Sequence, residues 1–169
     1  MPSATPGSRI GAGAFRDALR HFPAGVTLVT IRAGEIRHGL TVSAFSSVSP
    51  EPPLIAVMID HAHRAHELLS LPGSTFAVNI LAAEHAELSD RFAWGPDGER
   101  FAAGRWSTAV TGAPVLEDAL AWLDCRIHSR HAAGTHELYI GEVVASAVPR
   151  PDGDPLIYWN RGYRRLARE

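Results

Sequence analysis

Segments with β-strand character recur along this chain, and no helical stretch between them is long enough to carry it across a sheet into a parallel neighbour. Residues 26–31 (Val-Thr-Leu-Val-Thr-Ile) are rich in β-branched side chains. Ala33-Gly34-Glu35 makes a turn, and residues 39–42 begin the returning strand of a hairpin. Residues 54–59 form a continuous apolar run, the pattern of a strand buried on both faces, and Pro50, Pro52 and Pro53 break the chain ahead of it. Residues 75–81 read as a strand. Residues 120–127 and 138–148 read as two longer strands around Ala132-Ala133-Gly134, and a last strand covers 156–159 after a turn at 149–155. Helical patterns come at three places. Phe15, Ala18, Leu19 and Phe22 are stopped by Pro23 and Gly25; residues 64–71 end at Pro72-Gly73; residues 83–92 place Leu88 and Phe92 on one face. Residues 94–104 read as a loop. The expectation is a mainly β chain, a Greek-key or meander barrel with a few short peripheral helices.

The length of 169 residues fits one domain, and 46% hydrophobic with 20% charged residues supports a core without staples. Residues 1–13 read as a flexible lead-in and 14–169 as the single domain. A formal net charge of -2 argues against nucleic acid or an anionic membrane surface as partner. All 16 basic residues are arginine, which excludes a Schiff-base or P-loop lysine. Cys125 is the one cysteine, so neither an intrachain disulfide nor a cysteine zinc site is expected, and the expected compartment is the reducing cytoplasm. Nothing resembles a secretory signal or a membrane span.

The stretch Thr41-Val42-Ser43-Ala44-Phe45-Ser46-Ser47-Val48-Ser49 sets five hydroxyls beside small residues. Small side chains let a flat ligand approach the backbone, and hydroxyls and free N–H groups bond its carbonyl, ring-nitrogen and phosphate atoms. An edge strand with a solvated Ser/Thr face explains the same composition. Among nine histidines, His61, His63 and His66 are near neighbours with Asp60 and Glu67 close by, but His61 precedes the expected helix start. A solvated helix start accounts for them better than a metal, and no metal site is assigned. Arg64 at that helix start has the charge and position to meet a phosphate. His136 sits beside the turn at Gly134, placed to reach into a cleft or to remain an exposed loop residue, with His128 and His131 flanking the same turn. A Gly-x-Ser-x-Gly elbow and a Gly-x-Gly-x-x-Gly fingerprint are both missing, and Cys125 lies in an apolar strand.

Taken in order, several segments resemble one family. They are Phe15-Arg16-Asp17-Ala18-Leu19 with Phe22-Pro23-Ala24-Gly25-Val26, the stretch from Gly39 through Ser49 with Pro52-Pro53-Leu54, and Phe76-Ala77-Val78-Asn79-Ile80-Leu81. Leu88-Ser89-Asp90-Arg91-Phe92-Ala93, Gly134-Thr135-His136 with Ile140-Gly141-Glu142-Val143, and Arg161-Gly162-Tyr163-Arg164-Arg165-Leu166 complete the set. The chain is similar in these to the short-chain flavin reductases with an FMN-binding split barrel, which supply reduced flavin to partner monooxygenases. The resemblance implies FMN or FAD as flavin, NADH or NADPH as hydride donor, a homodimer, and a flavin-dependent monooxygenase as recipient. It implies flavin contacts from Thr41, Ser43, Ala44, Ser46, Ser47, Arg64, Asn79, Arg91, Phe92 and Tyr163, and a nicotinamide-facing role for His136. Three of the four tryptophans (Trp106, Trp122, Trp159) in or near apolar strands agree with a covered dimer face. The chain departs from the family pattern at Ser43, where many members carry Asn, at Ala65, which replaces a hydroxyl, and at Thr135, where Asp is frequent. A flavin- or haem-binding protein without turnover is the alternative, and an oxidase of the pyridoxamine-phosphate type shares the barrel with weaker motif support.

Overall fold

The computed structural model describes residues 10–167. A helix, α1 (Ala12–Leu19), leads into β1 (Ala24–Gly25), β2 (Thr27–Ala33), β3 (Ile36–Val42), β4 (Phe45–Pro50) and β5 (Pro53–Asp60). Then come α2 (Arg64–Leu69), β6 (Thr75–Ile80), a 3₁₀ turn at Ala83–His85, α3 (Ala86–Trp94) and a second 3₁₀ segment at Asp97–Ala102. The chain finishes with β7 (Trp106–Thr108), β8 (Pro114–Leu116), β9 (Ala121–Ala133), β10 (His136–Ala147), β11 (Ile157–Trp159) and β12 (Gly162–Arg164). Ala12 and Gly13, expected in the lead-in, already belong to α1, while residues 1–9 lie outside the described residues.

Seven strands pair antiparallel in the order β3-β2-β6-β9-β10-β5-β4, a split β-barrel. β2 folds onto β3 across the Gly34-Glu35 turn, where Gly34 takes the left-handed conformation (φ 60°) that a glycine reaches without a Cβ clash. β2 is buried on both faces, because its alternate residues feed two clusters. Val29 and Ile31 join Val57, Ile59, Phe76, Val78 and Tyr139 in one; Val26 and Leu28 join Leu81, Phe92, Leu116 and Leu156 in the other. Burial of a large aliphatic or aromatic side chain of this kind contributes roughly 1.5–3 kcal/mol each. β5 is the buried apolar run expected from its sequence, and β4 is the edge strand beside it.

The structure differs from the sequence expectation in four places. β9 and β10 extend to residues 133 and 136, so the hairpin is longer and its turn is only Gly134-Thr135. Polar outer residues on these arms, among them Arg130, His131 and Glu137, break up the apolar pattern that marks a strand. Residues 97–102 are 3₁₀ helix rather than loop. The β7–β8 hairpin and β12 are strands too short to leave a period in the sequence. The buried Asp124 carboxylate holds the loop between β7 and β8, accepting the Val110 and Thr111 N–H groups, each at 2.8 Å, and the Thr111 hydroxyl.

Candidate functional site

A cleft of about 550 Å³ opens where the end of β3, the C-terminal half of α3 and the β11–β12 hairpin converge. That volume is the size of a cofactor site. Its floor is apolar: Val26, Leu40 and Phe92. Phe92 is fully buried, with Phe101 edge-on at 5.1 Å and Trp106 at 5.5 Å between ring centroids. Gly39 makes this packing possible, because a Cβ there would lie 2.5 Å from Phe92 Cε1. Phe92 therefore rests on bare β3 backbone.

The walls are polar and already tied together. Thr41 donates its hydroxyl to Ser89 O at 2.6 Å, joining β3 to α3. Tyr163 Oη lies 2.8 Å from both Ser89 Oγ and Asp90 Oδ1, joining β12 to α3. Burial, reinforced by the Asp90 carboxylate, raises the Tyr163 phenol above its ordinary range, although the Ser89 bond opposes this. Asn160 and Arg161 form the two-residue β11–β12 turn with φ of 48° and 63°, the left-handed pair that twists a hairpin correctly. That turn delivers Arg161 to the mouth of the cleft. The strain of a non-glycine residue there is the kind that functional sites retain.

His63 caps α2, its Nδ1 accepting the Ala65 N–H at 3.1 Å, and lines the cleft from the far side. Burial first, and then the Arg100 guanidinium, lower its pKa, against the opposing pull of Asp97 and Asp60. Beneath it lies a charge cluster. Asp97 meets Arg64 Nη1 at 2.9 Å, Arg100 Nη1 at 3.0 Å and His38 Nδ1 at 3.7 Å. Partial burial would raise the Asp97 carboxyl, but Arg100, His38 and Arg64 together hold it below the usual range. His38 is buried, and desolvation brings it down to about 4 despite Asp97. Its Nε2 is 3.5 Å from Arg100 Nη1, whose N–H groups face Gly39 O at 2.7 Å and Asp97 at 3.0 Å.

Of the residues expected to contact flavin, Thr41, Ser43, Phe92 and Tyr163 line the cleft. Arg64, next to His63 in sequence, does not line the cleft, and its charge is directed to Asp97. Ala44 follows Ser43 at the β3–β4 corner, where its carbonyl accepts Met58 N–H at 3.1 Å. Ser46 and Ser47 are exposed on β4, the outer strand of the sheet. The structure does not bring the remaining candidates to the cleft wall. Arg91 is exposed and donates to Glu99 O at 3.4 Å. Asn79 is in the barrel core, fully buried, with its amide spent on the backbone of β2 and β8 and on Thr30. A polar residue inside an apolar strand has two explanations, ligand or internal brace, and here the strand's two-sided burial imposes the second. His136 opens β10 opposite Asp60, half-buried, with its Nδ1 3.0 Å from Thr135 Oγ1. Its turn is bonded to the corner that carries His63, through His61 N–H to Thr135 O at 3.0 Å. Sequence reasoning does not assign His63, Asp90, Trp94 or Arg161 to the site, yet all four line the cleft. Only Arg161 carries a local signal, the Asn160-Arg161-Gly162 turn.

The fold and cleft define a split-barrel protein with a cofactor-sized site between the barrel and its C-terminal hairpin. The chain belongs to the flavin reductase-like family: residues 19–167 match the model of the flavin reductase like domain. It is 39% identical over 168 residues to an FMN reductase (NADH), RutF, of Variovorax paradoxus strain S110, covering 99% of this chain and 92% of that one. Among solved structures, the Streptomyces globisporus C-1027 NADH:FAD oxidoreductase SgcE6, in complex with NAD and FAD fragments, superposes with a TM-score of 0.83 at 32% identity. That match covers 90% of this chain and 91% of that one. BorF, the flavin reductase component of a bacterial two-component tryptophan halogenase, superposes with a TM-score of 0.84 at 32% identity, covering 94% of this chain and all of that one.

Proposed function

We propose that this protein is an NAD(P)H:flavin oxidoreductase that reduces FMN or FAD and hands the reduced flavin to a partner monooxygenase. The observation that carries the reading is the cleft itself: an apolar floor with hydroxyls and charges only at its walls, in a chain of the flavin reductase-like family. The residues fit such a group. Trp94 and Tyr158, exposed in the lining, offer a surface for a flat ring, and Ser43 and Ala44 lead to β4, whose outer edge has no partner strand among the described residues. Hydroxyls and backbone N–H groups on that edge are donors for the ring's carbonyl and nitrogen atoms. Arg161 in the cleft lining, and Arg64, next in sequence to the lining residue His63, supply charge for phosphates.

When bound, the flavin supplies the hydride acceptance and electron storage, chemistry that belongs to the cofactor. The chain's part would be to seat the ring in the cleft, to exclude water from the covered face, and to leave the other face open for a nicotinamide. Burial and Arg100 disfavour the charged form of His63, which limits competing positive charge in the cleft. His136, at the corner bonded to His63's loop, is assigned to the nicotinamide side. The purified protein is expected to consume NADH or NADPH in a manner stimulated by added flavin. A protein that binds flavin yet consumes neither donor would be a passive binder, and the reductase reading would fall.

The reading extends to a homodimer in the cytoplasm. α1 has no buried residue, and Phe15, Leu19 and Phe22 are 52%, 53% and 73% exposed. An apolar stripe of that kind on a helix is a surface awaiting a partner. Trp159 and Trp94 are exposed as well, whereas Trp106 is used within the chain by Phe92 and Phe101. No helix among the described residues is long and apolar enough to cross a membrane.

A further inference from the structure

His61 stands in the corner between β5 and α2, His66 on α2, and Glu137 is the second residue of β10. His61 and His66 are five residues apart, and the distant Glu137 meets them because β10 pairs with β5, with Glu137 opposite Ile59, and α2 follows β5 directly. One donor atom from each lies within 4.8 Å of the others. His61 Nε2 is 3.1 Å from Glu137 Oε2, and the imidazoles of His61 and His66 are 4.8 Å apart between centroids. Ligands about 2.0–2.2 Å from a tetrahedral ion are roughly 3.3–3.5 Å from one another. One pair already has nearly that separation, and His61, 37% exposed, has room to adjust.

The surroundings fix the ligand that matters most. Tyr139 is fully buried, and its Oη lies 2.8 Å from His66 Nδ1 and 3.3 Å from His66 O. The phenol can donate to that carbonyl while its oxygen accepts Nδ1–H, the His66 tautomer that leaves Nε2 a lone pair for a metal. A histidine oriented through its other nitrogen is how protein metal sites set tautomer and ring angle. The corner is rigid too: His61 N–H donates to Thr135 O, and Ala62 N–H to Asp60 Oδ1 at 2.9 Å.

We propose that His61, His66 and Glu137 bind one divalent transition-metal ion of the zinc type, at a site separate from the cleft. Two imidazoles and one carboxylate suit zinc and leave a fourth position for solvent. The thiol of Cys125 does not compete: burial pushes it up to about 12, with Asp124 adding, inside the barrel core. A bound ion would staple the corner that carries His63 to the strand that carries His136. The inference stands independently of the flavin assignment, and its test needs no turnover.

The test is calorimetric titration of zinc sulfate into the tag-free, chelator-stripped protein, with cobalt(II) absorption as a second readout. One zinc per chain is expected, and cobalt should give the visible bands of a low-symmetry nitrogen and oxygen site. His61→Ala and Glu137→Ala, both near the surface, should each weaken zinc binding by about tenfold or more. His131→Ala should not, because the register places His131 opposite Leu138, on the other face of the hairpin from Glu137. No zinc uptake, or variants of His61 and Glu137 that titrate like the parent, would reduce the cluster to the His61–Glu137 ion pair and overturn the site. Should either variant fail to fold, the cobalt spectrum of the parent decides, since its absence alone overturns the proposal.

Discussion

Every polar atom of the Asn79 side chain is occupied inside the barrel. Nδ2 donates to Leu28 O and Thr30 Oγ1, both at 3.1 Å, and Oδ1 accepts Leu116 N–H at 2.7 Å. Asn79→Ala leaves buried groups of β2 and β8 without partners, at a cost of about 1–3 kcal/mol. The urea midpoint should fall accordingly while the flavin affinity of the folded protein stays put; lost affinity without lost stability would return Asn79 to the flavin shell. Arg64 has the opposite profile. It is half-exposed and its one ion pair is with Asp97, so Arg64→Ala should barely move stability. If it meets the flavin phosphate, the substitution weakens flavin binding by roughly 1.5–3 kcal/mol, read by fluorescence titration. Unchanged affinity would move the phosphate to Arg161. His136→Ala separates the two ligands. Hydride transfer needs no proton from this residue, so NAD(P)H use should fall without vanishing and flavin affinity should hold. Steady-state parameters identical to the parent would make His136 a plain hairpin residue, and loss of flavin would place it in the flavin shell.

Between elements, the contact that shapes the cleft is α3 on β3, where the Phe92 ring sits over Gly39. Gly39→Ala forces that ring away, and overpacking of this kind costs about 1–3 kcal/mol. Its displacement should also raise the flavin Kd, and a crystal structure of the variant with Phe92 unmoved would refute the account. The β2–β3 hairpin, β5, β6 and α2 are legible in the sequence because each carries its own signal: β-branched runs, a glycine turn, a proline-bounded apolar run, a Pro-Gly stop. Elements held by distant partners are not. The 3₁₀ segment Asp97–Ala102 reads as loop because what orders it is the meeting of Asp97 and Arg100 with His38 and Gly39 O on β3. The cleft is legible to the same extent. Thr41 and Ser43 belong to a marked hydroxyl stretch, while His63 and Asp90 reach the site only through packing.

At the scale of the whole molecule, the buried His38 links folding to pH. In the unfolded chain this imidazole titrates near 6.5, and in the fold desolvation brings it to about 4, partly offset by Asp97. Between those values the unfolded state binds a proton that the folded state does not, so stability increases with pH across the window. The contribution is fully present above the unfolded value of 6.5 and is lost as pH falls toward about 4. Its ceiling is on the order of 3 kcal/mol, given the conversion between pKa and free energy. Asp97 acts in the same direction but lower down, since its folded pKa lies below the 3.8 of an ordinary aspartate and its share is lost only in stronger acid. Denaturant unfolding measured from neutral pH down to about pH 4 should show a steady loss of stability. His38→Gln keeps a polar side chain in the same place without the titration, so it should flatten that slope even if it lowers stability at neutral pH. The same slope in parent and variant would mean that another group governs the acid limb, with His63, also lowered by burial, the first to test.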